Sequence, residues 1–183
     1  MAKEVIQNYI EDSLQALAFW VGYQHQVYRH HDLPEGAIVA ELARLIDGKI
    51  KNGTHIHLEK MYRELDENGE WKIKERVDIA LIKDKHVLAM IEVKKASFSR
   101  KIIEKDIAAL SEFKKKNPNV LTFVVVVSQA KRPKDWINEK GNVIGKVVQT
   151  SDGHQYKPIR ALKSAHSFMS IKKANFCCLI EVK

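Results

Sequence analysis

Apolar side chains recur at helical spacing in three segments of the chain. The first covers residues 5–21, and Gly22 is expected to end it. The second covers residues 34–46 and opens with a proline, which suits the first turn of a helix. The third covers residues 100–116, with Ser99 as its expected N-cap. These segments predict three amphipathic helices.

Alternating or unbroken apolar runs predict strands between and after these helices. Residues 55–65, 71–82 and 86–94 follow one another through short turns, which predicts an antiparallel meander. Residues 119–128 form an apolar run typical of a fully buried strand. Because the helix at 100–116 connects the third and fourth strands, a right-handed crossover should pair them in parallel. The pattern predicts an α/β fold with a mixed sheet and helices on both of its faces.

The last third of the chain carries weaker signals. Residues 135–139 are compatible with a short helix, and residues 142–149 and 174–182 look like strands. Residues 159–172 are ambiguous between helix and strand. This part of the chain, residues 130–183, could complete the sheet, contact nucleic acid or form a dimer interface.

Composition limits the class of protein. A chain of 183 residues without linkers or repeats is expected to form one domain over residues 1–183, with a core at about 34–129. It has no apolar run long enough to span a membrane, and its first residues carry charges where a signal peptide is apolar, so a cytoplasmic protein is expected. The formal net charge is +8. A basic surface of this kind attracts phosphate backbones.

Three polar side chains interrupt the second and third predicted strands. If the hairpin centres near Lys85, Asp78 lies opposite Glu92, and Lys94 shares their face two residues further on. Two opposed carboxylates repel each other, so a cation is expected between them. Carboxylate oxygens with room for water suit Mg²⁺ or Mn²⁺. The neighbouring ammonium could orient or deprotonate a water molecule.

This hairpin resembles the PD-(D/E)xK nuclease superfamily. The segment Arg76-Val-Asp78 and the strand ending in Ile91-Glu-Val-Lys94-Lys carry the resemblance, which extends over about residues 34–129. The sequences of these segments are similar to those of the nuclease domain of type I and predicted type IV restriction enzymes. The resemblance implies a restriction-endonuclease-like mixed sheet flanked by helices, and cleavage of nucleic-acid phosphodiesters with a divalent metal.

The resemblance also implies a role for each site residue. Asp78 and Glu92 would bind the metal ion together with the Val93 carbonyl, and Lys94 would assist the attacking water. Many members of the superfamily use a further glutamate on an upstream helix, and Glu41 occupies the matching position. The expected catalytic set is therefore these four side chains, and the expected metal is Mg²⁺, with Mn²⁺ as the alternative.

Basic residues directly after the carboxylates are candidates for contacts with nucleic acid, namely Lys95, Arg100, Lys101 and Lys105. The leading hypothesis is a metal-dependent endonuclease acting on nucleic acid, with DNA favoured, in restriction, defence or repair. Two alternatives remain open: a binding module of the same fold that has lost catalysis, and a nuclease subunit whose motor lies on another chain. A homodimer would supply the two sites that a double-strand cut needs.

Other functional classes find little support in the sequence. His55 and His57 share a strand face but have no cysteine or carboxylate at ligand spacing, which argues against a zinc site. No glycine-rich loop ends in the Lys-Ser/Thr pair that binds nucleotide phosphates, so no ATPase motor is expected in this chain. Cys177 and Cys178 are adjacent and should point to opposite faces of a strand, as reduced core residues.

Overall fold

The structure is a computed structural model that describes most of the chain. The described residues are 3–28, 32–51, 53–66, 69, 71, 75–96, 100–129, 131–164 and 174–183. The expected N-cap Ser99 lies outside them.

The described part of the chain begins with two helices and ends with four strands, and helices and strands are mixed between them. The helices are α1 (Lys3–Val27), α2 (Glu35–Asp47), α3 (Tyr62–Leu65) and α4 (Arg100–Lys116). The strands are β1 (Thr54–Met61), β2 (Arg76–Lys83), β3 (His86–Lys95), β4 (Leu121–Ser128), β5 (Val148–Gln149), β6 (Gln155–Lys163) and β7 (Phe176–Val182).

All seven strands join one mixed sheet in the order β1-β2-β3-β4-β7-β6-β5. The first three strands form the predicted antiparallel meander, and β3 pairs with β4 in parallel across the α4 crossover, as predicted. The remaining neighbours, β4 with β7, β7 with β6 and β6 with β5, are antiparallel. The last third of the chain therefore completes the sheet.

Helices cover both faces of the sheet, as the sequence pattern predicted. Helices α1 and α2 pack on one face and α4 on the other. Strand β4 is buried on both faces, with Val125 in the α1–α2 core and Val124 in the α4 core. Cys177 and Cys178 are likewise buried on opposite faces, and both are free thiols.

The boundaries of α2 and α4 match the predictions to within a residue. The helix predicted at residues 5–21 is confirmed by α1, but its predicted end was wrong. Gly22 does not end α1, because the helix continues to Val27 with Gly22 buried inside it. A glycine costs a helix interior only about 1 kcal/mol relative to alanine. The packing of Val21 and the preceding apolar residues outweighs that cost.

Two strand boundaries also differ from the predictions. The first strand ends at Met61, because the chain turns there into the single-turn helix α3. The Tyr62 ring is buried against Trp71, with ring centroids 5.4 Å apart. The second strand begins at Arg76 rather than near residue 71, and residues 72–74 lie outside the described part.

The weak signals after β4 gave mixed predictions. Residues 135–139 form turns instead of a helix, because the N–H groups of Trp136 and Ile137 both bond to the Pro133 carbonyl in a single turn. The segment 142–149 contributes only an isolated bridge at Val143 and the two-residue strand β5. The prediction of a strand at 174–182 is confirmed by β7.

The β2–β3 hairpin has a tight turn. Asp84 and Lys85 occupy its two central positions with φ values of 49° and 69°, as a type I′ turn requires. Next to the turn, Lys83 pairs with His86.

A bulge in β3 then changes the register of this hairpin. Ile82 pairs with Val87 but Leu81 pairs with Ala89, so Leu88 is the extra residue. The shifted register pairs Ile79 with Ile91 and so aligns Asp78 with Glu92 one step further on.

Without the bulge, a continuous two-residue hairpin would align Asp78 with Ile91 instead. Since a slip of one residue moves a side chain to the other face, Asp78 and Glu92 would then lie on opposite faces of the sheet. Leu88 therefore determines whether the two carboxylates can meet.

Within the described part of the chain, no helix is both long enough and apolar enough to cross a membrane.

Candidate active site

The three polar residues of the hairpin meet where β2 begins and β3 ends. Asp78, Glu92 and Lys94 lie on the sheet face covered by α4, as their spacing predicted. The backbone N–H of Val93 donates a 2.6 Å hydrogen bond to Asp78 Oδ2. This bond joins the two strands beyond Ile79, the last residue of β2 that pairs with β3.

The adjacent edge strand is irregular at the same level. Glu59 occupies the register position opposite Asp78 but has a left-handed backbone with φ of 52°. Its side chain is exposed, and no pairing is formed at this position of β1. Left-handed backbone in a residue other than glycine is strained and often occurs near functional sites.

The ammonium group of Lys94 lies among four carboxylates. Its Nζ atom is 3.3 Å from Glu35 Oε1, 3.7 Å from Asp106 Oδ2, 3.9 Å from Asp78 Oδ2 and 4.0 Å from Glu92 Oε2. The lysine side chain is only 13% exposed. The residues come from α2, β2, β3 and α4, so the fold assembles this group, named here the Lys94 cluster, from four elements.

Three carboxylates of the Lys94 cluster, those of Asp78, Glu92 and Asp106, have pKa values above their ordinary values. Burial and then repulsion from Asp78 and Asp106 raise the pKa of Glu92 well above its ordinary value. Burial also raises the pKa of Asp78, although the Val93 N–H and the Lys94 ammonium partly oppose this. Burial raises the pKa of Asp106 to about 6, against the attraction of Lys94.

Lys94 and Tyr62 direct N–H and O–H groups at these carboxylates. Burial lowers the pKa of Lys94, but the surrounding carboxylates outweigh burial and raise it above its ordinary value. The Tyr62 hydroxyl donates a 3.0 Å hydrogen bond to Glu92 Oε1. Burial and the nearby Glu92 raise the pKa of Tyr62, which keeps it a neutral donor.

The donor set suits a hard divalent cation. Among the carboxylate oxygens of the Lys94 cluster, Asp106 Oδ2 and Glu35 Oε2 are buried and accept no hydrogen bond from the described residues. Mg²⁺ and Mn²⁺ prefer such oxygens. In the conformation described, however, the carboxylates converge on the Lys94 ammonium, and no three acidic, imidazole or thiol groups of the described residues are grouped closely enough to hold a metal ion.

A small cavity opens on the Lys94 cluster. Its volume is about 190 Å³, and its walls include Asp78, Glu92 and Asp106 together with the basic side chains of Arg76 and Lys105. A larger cavity of about 490 Å³ lies beside His86, at the opposite end of β3, and it contains no acidic residue. The cavity lined by carboxylates is therefore smaller than the cavity beside His86.

Glu41, the helix glutamate predicted to belong to the site, lies outside the Lys94 cluster. The Glu41 carboxylate accepts hydrogen bonds of 2.9 and 2.7 Å from Arg44, an exposed residue of the same helix. The carboxylate that α2 contributes to the Lys94 cluster is Glu35, six residues earlier. At 3.6 residues per turn, six residues correspond to a rotation of about 240°, so Glu41 faces away from Glu35.

Two of the four basic residues predicted to contact nucleic acid form ion pairs with carboxylates. Lys95 pairs with Asp32, and Lys105 pairs with Glu75 at 3.3 Å. Lys101 is exposed on α4. The side chain of Arg100 lies outside the described part of the chain, although its backbone begins α4.

The sequence interpretation missed Glu35, Tyr62 and Asp106. Glu35 directly follows the proline that opens α2, a position where an acidic residue is expected for helix stability alone. Asp106 lies beside Ile107 at the edge of the apolar stripe of α4, which was an available signal. Tyr62 was assigned to a strand, which hid its position.

Comparisons with protein-family models, curated proteins and solved structures found nothing that matches this chain.

Proposed function

We propose that this chain is a divalent-metal-dependent nuclease that hydrolyses phosphodiester bonds of nucleic acid, with DNA as the favoured substrate. The observation that carries the proposal is the Lys94 cluster, in which one ammonium group lies within 4.0 Å of four carboxylates beside an open cavity. Its place in the cell would be restriction, defence or repair.

A structural role alone accounts poorly for this cluster. Bringing charged groups out of water costs several kcal/mol per ion, and a packed apolar core is often as stable. Here several buried carboxylates have raised pKa values, and two buried oxygens accept no hydrogen bond from the described residues. Perturbed acids that line a cleft are typical of functional sites.

The order of the elements supports the same proposal. Helix α2, the β1–β3 meander, the crossover helix α4 and the parallel strand β4 follow one another along the chain. The resemblance to the PD-(D/E)xK superfamily implies a mixed sheet flanked by helices in this region. A restriction-endonuclease-like arrangement is therefore part of the proposal.

The site would hold Mg²⁺ or Mn²⁺ through the carboxylates of Asp78 and Glu92 and the carbonyl of Val93. The N–H and C=O groups of a strand residue point to the same side, and the Val93 N–H is directed at Asp78. When bound, the cation supplies positive charge that offsets the charge developing on the scissile phosphate. Tyr62 fixes the orientation of the Glu92 carboxylate through its hydrogen bond.

Lys94 would act as a hydrogen-bond donor to the attacking water and to a phosphate oxygen. Its raised pKa keeps the amine protonated, which favours donation over proton abstraction. Glu35 and Asp106 lie 3.3 and 3.7 Å from its Nζ atom and hold the ammonium at the rim of the cavity.

A nucleic-acid-binding module without catalysis is the second candidate. The observation that favours it is that the carboxylates surround Lys94 instead of converging on a shared metal position. In that case the lysine is a permanent counter-ion of the acids, and the cavity binds no metal.

A cleavage panel separates the two candidates. Labelled single-stranded, duplex and branched DNA and RNA are incubated with the chain in Mg²⁺, in Mn²⁺ and in EDTA. We expect metal-dependent cleavage that Asp78→Asn and Lys94→Gln each reduce by about 100-fold or more, while Glu41→Gln, the matched control, keeps activity. Full activity of Asp78→Asn would refute the site. Binding without cleavage by the wild-type chain would favour the second candidate.

A further inference from the structure

A basic loop follows β4 at the same edge of the sheet as the Lys94 cluster. Residues 131–136, named here the 131–136 loop, form the wall of a third cavity of about 270 Å³ together with Ala96 and Ser128. The Ala96 N–H donates a 2.8 Å hydrogen bond to the Val127 carbonyl, so the β3–β4 pairing extends up to this cavity.

The 131–136 loop is held in place by its own contacts. The Ser128 hydroxyl donates a hydrogen bond to the Lys131 carbonyl, and Arg132 Nη1 donates one of 3.3 Å to the Ile137 carbonyl. Trp136 is only 4% exposed and Ile137 is fully buried, so both anchor the loop in the core. The loop therefore presents its basic side chains from a fixed backbone.

The basic residues of this loop outnumber its one acidic residue. Lys131, Arg132 and Lys134 have no carboxylate partner within 4.0 Å among the residues that the structure describes, whereas Lys94 and Lys95 are paired. Asp135 also lines the cavity, so the loop keeps a formal net charge of +2. In addition, the indole N–H of Trp136, a residue lining the cavity, is buried and donates to no acceptor in the described part of the chain. Cationic groups and a spare donor around one cavity suit an anionic oxygen ligand.

The position of the cavity links it to the Lys94 cluster. Ala96 lies two residues after Lys94 and packs in the core on the α4 side, the same face of the sheet. At about 3.3 Å per residue, the two positions are about 7 Å apart along the strand. One strand of B-DNA rises about 3.4 Å per nucleotide along the helix axis, and successive phosphates are farther apart than this rise because the backbone winds around the axis, so the separation corresponds to one or two nucleotides.

We propose that the 131–136 loop and Ala96 form a subsite for backbone phosphates of the nucleic-acid strand that is cut, one or two nucleotides from the phosphate at Lys94. The inference deepens the proposed function and rests on it, because it names the part of the substrate that lies next to the reacting phosphate. The subsite binds the charged phosphates and does not distinguish one base sequence from another.

Equilibrium binding tests the subsite independently of catalysis. The double variant Lys131→Gln/Lys134→Gln removes two exposed charges of the loop and leaves the Arg132 hydrogen bond intact. The control Lys51→Gln/Lys83→Gln also removes two charges. Lys83 ends β2 about 17 Å from Asp78, and Lys51 precedes β1, whose first residue Thr54 pairs with Lys83. Binding of a fluorescent duplex oligonucleotide is measured by anisotropy in EDTA over a series of salt concentrations.

We expect the loop variant to bind about 10-fold or more weakly at low salt, and the slope of log K against log salt to fall by about 1.8, since each phosphate contact contributes about 0.9. The control should match the wild type. In a cleavage assay the loop variant should raise KM and keep kcat within about threefold, because these lysines do not touch the reacting atoms.

Each outcome decides the proposal. Weaker binding and a lower salt slope in the loop variant alone support the subsite, even if the wild-type chain cleaves nothing, in which case only the proposed catalysis fails. Equal binding by the loop variant and the wild type, equal losses in the loop and control variants, or no binding by the wild type would each overturn the subsite.

Discussion

Replacing Lys94 with methionine is expected to destabilise the metal-free protein and to make its stability depend on pH. The variant keeps the length of the side chain but removes the only ammonium within reach of the four carboxylates of the Lys94 cluster in the described part of the chain. At an effective dielectric constant of about 20, one ion pair at 4 Å contributes about 4 kcal/mol of attraction. The loss is limited because the carboxylates can take up protons.

Proton uptake by the carboxylates limits the size of the effect, and Asp106 gives an upper limit on the cost of that uptake. Asp106 has a pKa of about 6, so protonating it at pH 7 costs about 1.4 kcal/mol, at 1.36 kcal/mol per unit. The remaining carboxylates stay less well compensated than in the wild type. We therefore expect Lys94→Met to lower the free energy of unfolding by about 3 kcal/mol at pH 7, at the low end of values for a broken buried ion pair.

The sign of the pH dependence is fixed by proton binding. The folded variant holds one more proton than the folded wild type near pH 7, while the unfolded chains titrate alike, so the penalty grows as the pH rises. Between pH 7 and pH 6 the wild-type Asp106 begins to take up a proton too, and the penalty should fall by about 1 kcal/mol.

Urea unfolding in EDTA at several pH values measures this penalty. Lys95→Met is the matched control, because this neighbouring lysine pairs with Asp32, whose side chain is 65% exposed. That exposed partner limits the cost of the control to under about 1 kcal/mol at every pH. A penalty for Lys94→Met equal to that of the control, or one that does not change with pH, would refute the reasoning.

Three further variants test the surroundings of Lys94. Tyr62→Phe should lower the free energy of unfolding by about 1–2 kcal/mol in urea titrations, because a Glu92 oxygen loses its buried donor, and an unchanged midpoint would contradict the hydrogen bond. Asp106→Asn should raise the free energy of unfolding by up to about 3 kcal/mol at pH 7 in EDTA, because the wild-type carboxylate has a higher pKa in the folded chain than in the unfolded chain. This gain should vanish near pH 4, and a gain that does not change with pH would count against this reasoning. Glu35→Gln should reduce cleavage at saturating substrate while Glu41→Gln should not, since only the former contacts the lysine amine, and equal effects in a rate assay would undermine the assignment.

The convergence of Asp78, Glu92 and Lys94 could be predicted because it depends on local patterns. A period of two residues within each strand and a turn signal between them determine which side chains share a face. The parallel pairing of β3 with β4 was equally accessible, since a helix between two apolar strands requires a crossover connection.

The route by which the hairpin reaches its register was not accessible from the sequence. The sequence interpretation centred the hairpin on Lys85, and the correct alignment of the carboxylates results instead from a two-residue turn combined with a bulge at Leu88. Leu88 looks like any apolar strand residue. The signal for a bulge lies in packing against the α1–α2 core, which the sequence does not display.

The residues from other elements depend on how helices dock. Glu35 and Glu41 both lie on α2, and the rotation of that helix against the sheet decides which of them reaches Lys94. Asp106 and Tyr62 enter the site through the packing of α4 and α3 on the sheet. Periodicity defines the buried face of a helix but not the one edge residue that meets a partner from another element.

The position of a bound metal ion tests the central claim most directly. Crystals of the wild-type chain are grown with Mn²⁺, and an anomalous difference map is calculated at an energy where manganese scatters anomalously. The account predicts a peak in direct contact with the carboxylates of Asp78 and Glu92 and with the Val93 carbonyl. A map with no peak at these oxygens, from crystals in which the Lys94 ammonium still lies among the four carboxylates, would contradict it.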